Sequence, residues 1–210
     1  MELAKTAAPS HQENEMPRSE ATSKTNKKTS PRAAGKAASQ DALRLLAEDH
    51  KKVKKMFDEF EKIKDKEDID DEQKQLLVET ACAELTIHAQ LEEELFYPAA
   101  RDAIDDMDLL DEAEVEHASA KQLISELATM QPGDALYNAK FKVLGEYVKH
   151  HIEEEEKELF PLIKKSELDL AELAEEMQER RMELREELGF TAVETDEDAE
   201  AAPKARKNVH

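Results

Sequence analysis

Two segments of this chain repeat one another in the residue types that bind metals and move protons. "HAQLEEELFYP" (88–98) and "HIEEEEKELFP" (151–161) each carry a His, a Glu four positions later and a Pro ten positions later. Residues four apart share one face of a helix, so each segment offers an imidazole and a carboxylate side by side. A lone histidine precedes each pair, His50 by 38 residues and His117 by 34. The resulting set is His50, His88, Glu92, His117, His151 and Glu155. Imidazole with carboxylate suits iron, manganese or zinc. Two carboxylates from opposing segments can also bridge two ions ~3.5–4 Å apart, leaving positions open for water or a small ligand.

Each feature alone has an ordinary explanation. A single core histidine is commonly a hydrogen-bonded structural residue, and a run such as Glu153 to Glu156 is commonly a solvated helix face. On that basis Glu93, Glu94, Glu153, Glu154 and Glu156 are assigned to the outside, with Glu156 kept as an alternative last ligand. Position sets the six apart from this background. His50 falls on the apolar stripe Leu43, Leu46, Val53, Phe57, Phe60, and His88 with Glu92 falls between Leu85 and Leu95. His117 lies on the stripe Leu110, Ile124, Leu127, while His151 and Glu155 lie on Tyr137, Phe141, Leu144, Val148, Leu159, Leu162. His150 points elsewhere, and His11 and His210 lie near the chain ends.

The elements that must hold these residues are helices. With 39% charged residues and only 4 Gly in 210, the composition favours helix over a turn-rich β fold. Periodicity predicts helices over about 41–64, 71–103, 107–130 and 134–163, the first capped by Ser39 or Asp41. Pro98 and Pro161 should kink or end the second and fourth. Short connections make neighbours antiparallel, so the expected fold is all-α: an up-down four-helix bundle over 41–163. An extra charged helix is expected over 166–188, stopped at Gly189. Antiparallel helices juxtapose residues equidistant from their turn. His50 and His88 centre on 69, within "DKEDIDDE", and His117 and His151 centre on 134, within "QPGD". Four histidines therefore reach one layer of the core, where unpaired polar groups would be costly unless they are ligands.

Residues 1–40 are rich in Ser, Thr, Lys, Ala and Pro, and read as a disordered, weakly basic tail with seven Lys/Arg against four Asp/Glu. Residues 189–210 read as a flexible tail. The net charge of −21 argues against non-specific nucleic-acid binding. No apolar run approaches the ~20 residues of a membrane span, and no secretory pattern opens the chain. Cys82 is the only cysteine, which excludes an intramolecular disulfide or a thiolate zinc site. A cytoplasmic setting is expected.

Ferritin-like di-iron bundles use paired Glu-x-x-His motifs, and only Glu114–His117 fits that spacing. In contrast, one His, then His-x-x-x-Glu, then one His, then His-x-x-x-Glu on successive helices resembles the hemerythrin family, specifically its bacterial HHE cation-binding branch. The resemblance spans about 43–163 through "EDHKKV", "HAQLEEELFYP", "EVEHASAKQL" and "HIEEEEKELFP". It implies a carboxylate-bridged centre of two non-haem iron ions on the six residues named, with Glu92 and Glu155 as bridges. Oxygen-carrying members have a further histidine where Ala113 stands here, and their last carboxylate corresponds to Glu156. The resemblance thus implies a more open or differently loaded site, suited to sensing oxygen, nitric oxide or peroxide, to handling iron under stress, or to weak redox activity. The alternative is an enzyme acting on peroxide or repairing iron centres, although iron-repair relatives carry cysteines in a preceding domain. A metal-free helical scaffold is the third class. The tails and the C-terminal helix remain as surfaces for a protein partner.

Overall fold

The computed structural model describes residues 41–66 and 69–189. The expectations for the two tails lie outside these residues.

Helix α1 (Ala42–Ile63) begins where Asp41 accepts a hydrogen bond from the Arg44 amide at 2.8 Å, so of the two candidate caps Asp41 is used. Asp70 caps α2 (Asp71–Leu91) in the same way through the Gln73 amide at 2.8 Å. In each case the side chain satisfies a first-turn N–H that would otherwise lack a partner. After α2 the chain makes a π-helical turn (Glu92–Phe96) and continues as α3 (Tyr97–Ala103). Helix α4 (Asp108–Leu127) follows, then α5 (Tyr137–Glu154), a second π-helical turn (Glu155–Leu159) and α6 (Phe160–Ile163). Helix α7 (Leu170–Glu187) ends before Gly189, whose φ of 73° is the left-handed conformation that glycine supplies at helix ends.

α1 packs on α2, α2 on α4, α4 on α5, and α5 on α1, which closes an up-down bundle. α7 lies against α1 and α2 as a fifth element. It buries Leu173, Ala174, Met177 and Leu184 in the same apolar cluster as Leu43, Leu46, Leu91 and Phe96. The charged face of this helix remains outside, but its apolar edge is core.

Several boundaries differ from the sequence expectation for physical reasons. α5 starts at Tyr137 and not at 134, because Gly133 (φ 95°) and Leu136 (φ 72°) turn the chain first. α7 starts at Leu170, capped by Asp169, and not at Ser166. Neither Pro98 nor Pro161 ends its helix. A proline ring cannot donate and crowds the carbonyl four residues back. The wider turn absorbs this, with the Tyr97 amide donating to Glu92 O and the Phe160 amide to Glu155 O. Each π turn adds one residue to the helical count. The buried face beyond it therefore moves on by one position: Phe96 is buried in place of Leu95, and Ile163 in place of Leu162.

The apolar core is divided in two. One cluster gathers Leu46, Leu91, Phe96, Leu110, Phe160 and α7, and the other gathers Val53, Phe57, Phe60, Phe141, Leu144 and Ile152. Between them lies a layer of polar side chains. Close packing below that layer is visible at Gly145, where an added Cβ would stand 2.8 Å from the Phe57 ring. That ring is buried and tilted against Phe141 at 5.0 Å between centroids. Gly145→Val should overpack this contact and destabilise the metal-free bundle by about 1–3 kcal/mol. Thermal unfolding checks this, and an unchanged Tm would mean that α1 and α5 can separate freely there.

Candidate metal centre

His50, His88, Glu92, His117, His151 and Glu155 are the buried polar or charged residues among those described, each 6% exposed or less. All six expected site residues thus meet in one layer. His50 comes from α1, His88 from α2, His117 from α4 and His151 from α5, while Glu92 and Glu155 open the two π turns. Their ligand atoms form two groups. His50, His88, Glu92 and Glu155 make one, Glu92, His117 and His151 the other, and within each the donor atoms lie within 4.8 Å of one another. Glu92 belongs to both. Its Oε2 is 3.2 Å from His88 Nε2 and 3.3 Å from His117 Nε2. Oε2 of Glu155 is 3.2 Å from His50 Nε2 and 3.6 Å from His151 Nε2. Glu156 does not enter this layer, and Glu114 lies outside, paired with Arg101 at 2.8 Å.

The other nitrogen of every imidazole faces a carboxylate from the adjacent helix. Glu156, on the π turn after α5, lies 3.0 Å from His50 Nδ1 on α1. Asp49 on α1 lies 3.5 Å from His88 Nδ1 on α2. Glu93, on the π turn after α2, lies 2.9 Å from His117 Nδ1 on α4, and Glu116 on α4 lies 2.9 Å from His151 Nδ1 on α5. These contacts close a ring around the bundle, each helix steadying the histidine of the next. A carboxylate only accepts, so Nδ1 of His50, His117 and His151 carries the proton and Nε2 is the atom presented inward. His88 Nδ1, 3.5 Å from Asp49, makes no hydrogen bond but has its Nε2 turned inward in the same way. Such carboxylate–histidine pairs orient metal ligands and raise their basicity.

Electrostatics give the layer its chemical character. Burial, and then the charge of Glu155, push the Glu92 carboxyl well above the usual range. Burial would raise Glu155 too, but His151, His50 and His88 outweigh it and hold its carboxyl below that range. Asp49 is likewise held low, burial being outweighed by His88 and Arg181. Tyr97 is buried beside the pair, its hydroxyl donating to Glu155 Oε1 at 3.0 Å and lying 3.3 Å from His117 Nε2. Burial, together with the charges of Glu92 and Glu155, raises the Tyr97 phenol well above its ordinary value. The ring of Phe160 stacks on His50 at 5.8 Å and 11°.

The donors fit a metal. Nε2 of His50 and His88, both oxygens of Glu92 and Oε2 of Glu155 are buried with no hydrogen-bond partner, although Nε2 and carboxylate oxygen atoms stand only 3.2 Å apart. They converge on common points and are not aligned on one another. Nε2 of His117 and of His151 face each other at 3.2 Å while both Nδ1 atoms are committed to carboxylates. With both rings neutral, two lone pairs would oppose, and a cation between them removes the conflict.

Sequence reasoning missed Asp49, Glu116 and Tyr97; Glu93 and Glu156 do lie on the outer side, half-buried and exposed respectively, and each also turns an oxygen to a site histidine. Glu94, Glu153 and Glu154 do lie outside, paired with Arg180, Lys157 and His150 respectively. The missed carboxylates carry a common signal: each is directly adjacent in sequence to a residue of the layer, Asp49 to His50, Glu93 to Glu92, Glu116 to His117 and Glu156 to Glu155.

Known proteins resemble this chain in sequence and fold. The family model described as "Hemerythrin HHE cation binding domain" matches residues 41–163. A crystal structure of a hemerythrin HHE cation binding domain-containing protein from Mycobacterium kansasii superposes with a TM-score of 0.60 at 23% identity, covering 72% of this chain and 91% of that one. At that identity the likeness concerns the fold. A protein of Nostoc sp. named "DNA nickase" is 29% identical over 125 residues, 60% of this chain. The chain spans only 33% of that relative's length.

A layer built for a cation should work against the stability of the protein without one. Glu92→Gln keeps the shape and removes the costly carboxyl, so the metal-free protein should gain about 1 kcal/mol or more, a rise in Tm of roughly 2–4 °C. Metal uptake should fall at the same time. A metal-free Glu92→Gln protein that melts lower than the parent would mark Glu92 as structural.

Proposed function

The chain belongs to the hemerythrin HHE cation-binding family, and from that premise we propose that it holds two non-haem iron ions and binds or senses a small diatomic ligand such as oxygen or nitric oxide, or handles iron under stress. The observation that carries this reading is the set of four inward Nε2 atoms in one buried layer with Glu92, common to both donor groups, and Glu155, which stands between His50 and His151. In this reading His50 and His88 would hold one ion and His117 and His151 the other, with Glu92 and Glu155 available to both. When bound, iron supplies reversible one-electron chemistry and open coordination positions.

The protein's own residues do the rest. Asp49, Glu93, Glu116 and Glu156 hold the imidazoles in the tautomer that presents Nε2. Imidazole and carboxylate donors suit iron. Cys82 takes no part, since burial pushes its thiol up to about 12 and it packs against the apolar cluster of Phe57, Phe60 and Phe141. A cavity of about 30 Å³ lies against His88, His117 and His151, walled by Val53, Leu85, Ala89, Ala120 and Ile124. Such a space admits a molecule about the size of a water, and its apolar walls favour an uncharged diatomic over a hydrated anion. Among the described residues no helix is long and apolar enough to cross a membrane. A cytoplasmic, reducing setting suits both ferrous iron and an unpaired thiol.

One observation favours a second reading, an enzyme acting on peroxide. The buried Tyr97 hydroxyl, donating to Glu155 beside His117, is a hydrogen-bond donor that could steady a bound oxygen atom at the site.

The test is to load the protein anaerobically, measure iron per chain and record the visible spectrum with oxygen, nitric oxide and peroxide. Reversible spectral change with oxygen or nitric oxide supports binding, and sustained peroxide consumption supports the enzyme. Protein that takes up no iron overturns both. His88→Ala should lose iron while staying helical. His150→Ala should keep its iron, because that side chain is 62% exposed and its contacts, with Glu154 at 3.3 Å and with Glu116 at 3.8 Å, leave the closer 2.9 Å contact of Glu116 with His151 in place.

A further inference from the structure

Three of the four outer carboxylates have a basic side chain beside them from within the residues matched to the family. Glu156 pairs with Lys54 at 3.3 Å, Glu93 pairs with Lys121, and Glu116 lies 3.8 Å from His150. The fourth does not. Asp49 is gripped by Arg181 of α7, with Nη1 on Oδ1 at 3.0 Å and Nη2 on Oδ2 at 2.5 Å. Oδ2 is the same oxygen that faces His88 Nδ1 at 3.5 Å. Helix α7 lies wholly beyond residue 163, where the family match ends.

We infer that Arg181 is a positioning residue of the metal centre: by fixing both oxygens of Asp49 it aims Oδ2 at His88, and through His88 it sets the strength of the metal position that His50 and His88 form. The inference rests on the di-metal reading above and extends the centre to an element outside the family's four-helix unit. The planar guanidinium matches both carboxylate oxygens at once, which a lysine ammonium cannot do. Without it, Asp49 stands at the edge of α1, free to turn toward water, and His88 Nδ1 keeps no other acceptor in its reach. The Asp49–His88 contact is the longest of the four in the ring, so it depends most on an outside restraint.

Helix α7 contains its own control. Arg185 reaches Glu84 at 3.2 Å, and Glu84 pairs with Lys52 at 2.7 Å, apart from the four site histidines. Arg181→Met and Arg185→Met each remove one charged head and keep the apolar stem.

The experiment titrates the metal-free full-length protein with cobalt(II), following the visible absorption and the exchangeable imidazole N–H signals in the paramagnetic NMR spectrum. The parent should take up two equivalents and show four such signals. Arg181→Met should bind one equivalent about 10-fold more weakly, at the low end of the range for losing an outer-shell partner. One N–H signal, that of His88, should broaden through exchange with water while the other three persist. Arg181→Lys should recover the affinity only in part, and Arg185→Met should match the parent. Asp49→Asn, which alters the same link from α1, should reproduce the Arg181→Met pattern and decides the matter if that variant does not fold. Parental affinity and four sharp signals in Arg181→Met, or an equal loss in Arg185→Met, overturns the inference while leaving the di-metal reading intact. A parent that binds no cobalt overturns both.

Discussion

The protein depends on how it keeps four imidazoles and two carboxylates in one water-poor layer. Left unpaired, such groups would each cost kilocalories, and like charges would repel at short range. The answer is a ring in which every helix gives a ligand inward and, from the neighbouring position in sequence, a carboxylate sideways to the next helix. Asp49 serves His88, Glu93 serves His117, Glu116 serves His151 and Glu156 serves His50. One turn of each helix thus does two tasks. Neighbouring residues on a helix diverge by about 100°, so one can face the axis while the other faces the adjoining helix.

The layer also shapes the rest of the fold. It splits the apolar core into two clusters that must each be completed independently. The cluster on the side of the chain's first helical turn takes in residues of α3 and α6, the short helices that follow the π turns, and α7 fills it with Leu173, Ala174, Met177 and Leu184. The π turns start on Glu92 and Glu155 themselves. By adding a residue to the helical count they carry Phe96 and Tyr97 inward, and Tyr97 then reaches Glu155. Site and scaffold therefore share the same local irregularity.

Much of this was legible in the sequence. The inward stripes of α1 and α5 could be read because both are long and regular; the duplicated His-x-x-x-Glu segments named four of the six residues, and the stripes supplied His50 and His117. What escaped notice has identifiable causes. Periodicity counts residues on a uniform helix, so it could not foresee that one extra residue in each π turn would exchange Leu95 for Phe96 and Leu162 for Ile163. Charge patterning treats a glutamate run as one face, whereas Glu155 and Glu156 lie on different faces with different tasks. Arg181 sits far along the chain from Asp49, and no local pattern joins them. Only the docking of α7 brings the two together.

The central claim is that each imidazole keeps its proton on Nδ1 and offers Nε2 to a metal. Histidine-labelled nitrogen NMR of the metal-free protein, titrated with zinc(II) as a diamagnetic probe, tests it most directly. The account predicts that the Nε2 resonances of His50, His88, His117 and His151 shift on saturation at two equivalents, with the proton retained on Nδ1 in all four. Shifts confined to His11, His150 or His210, or metal bound through Nδ1, would contradict it.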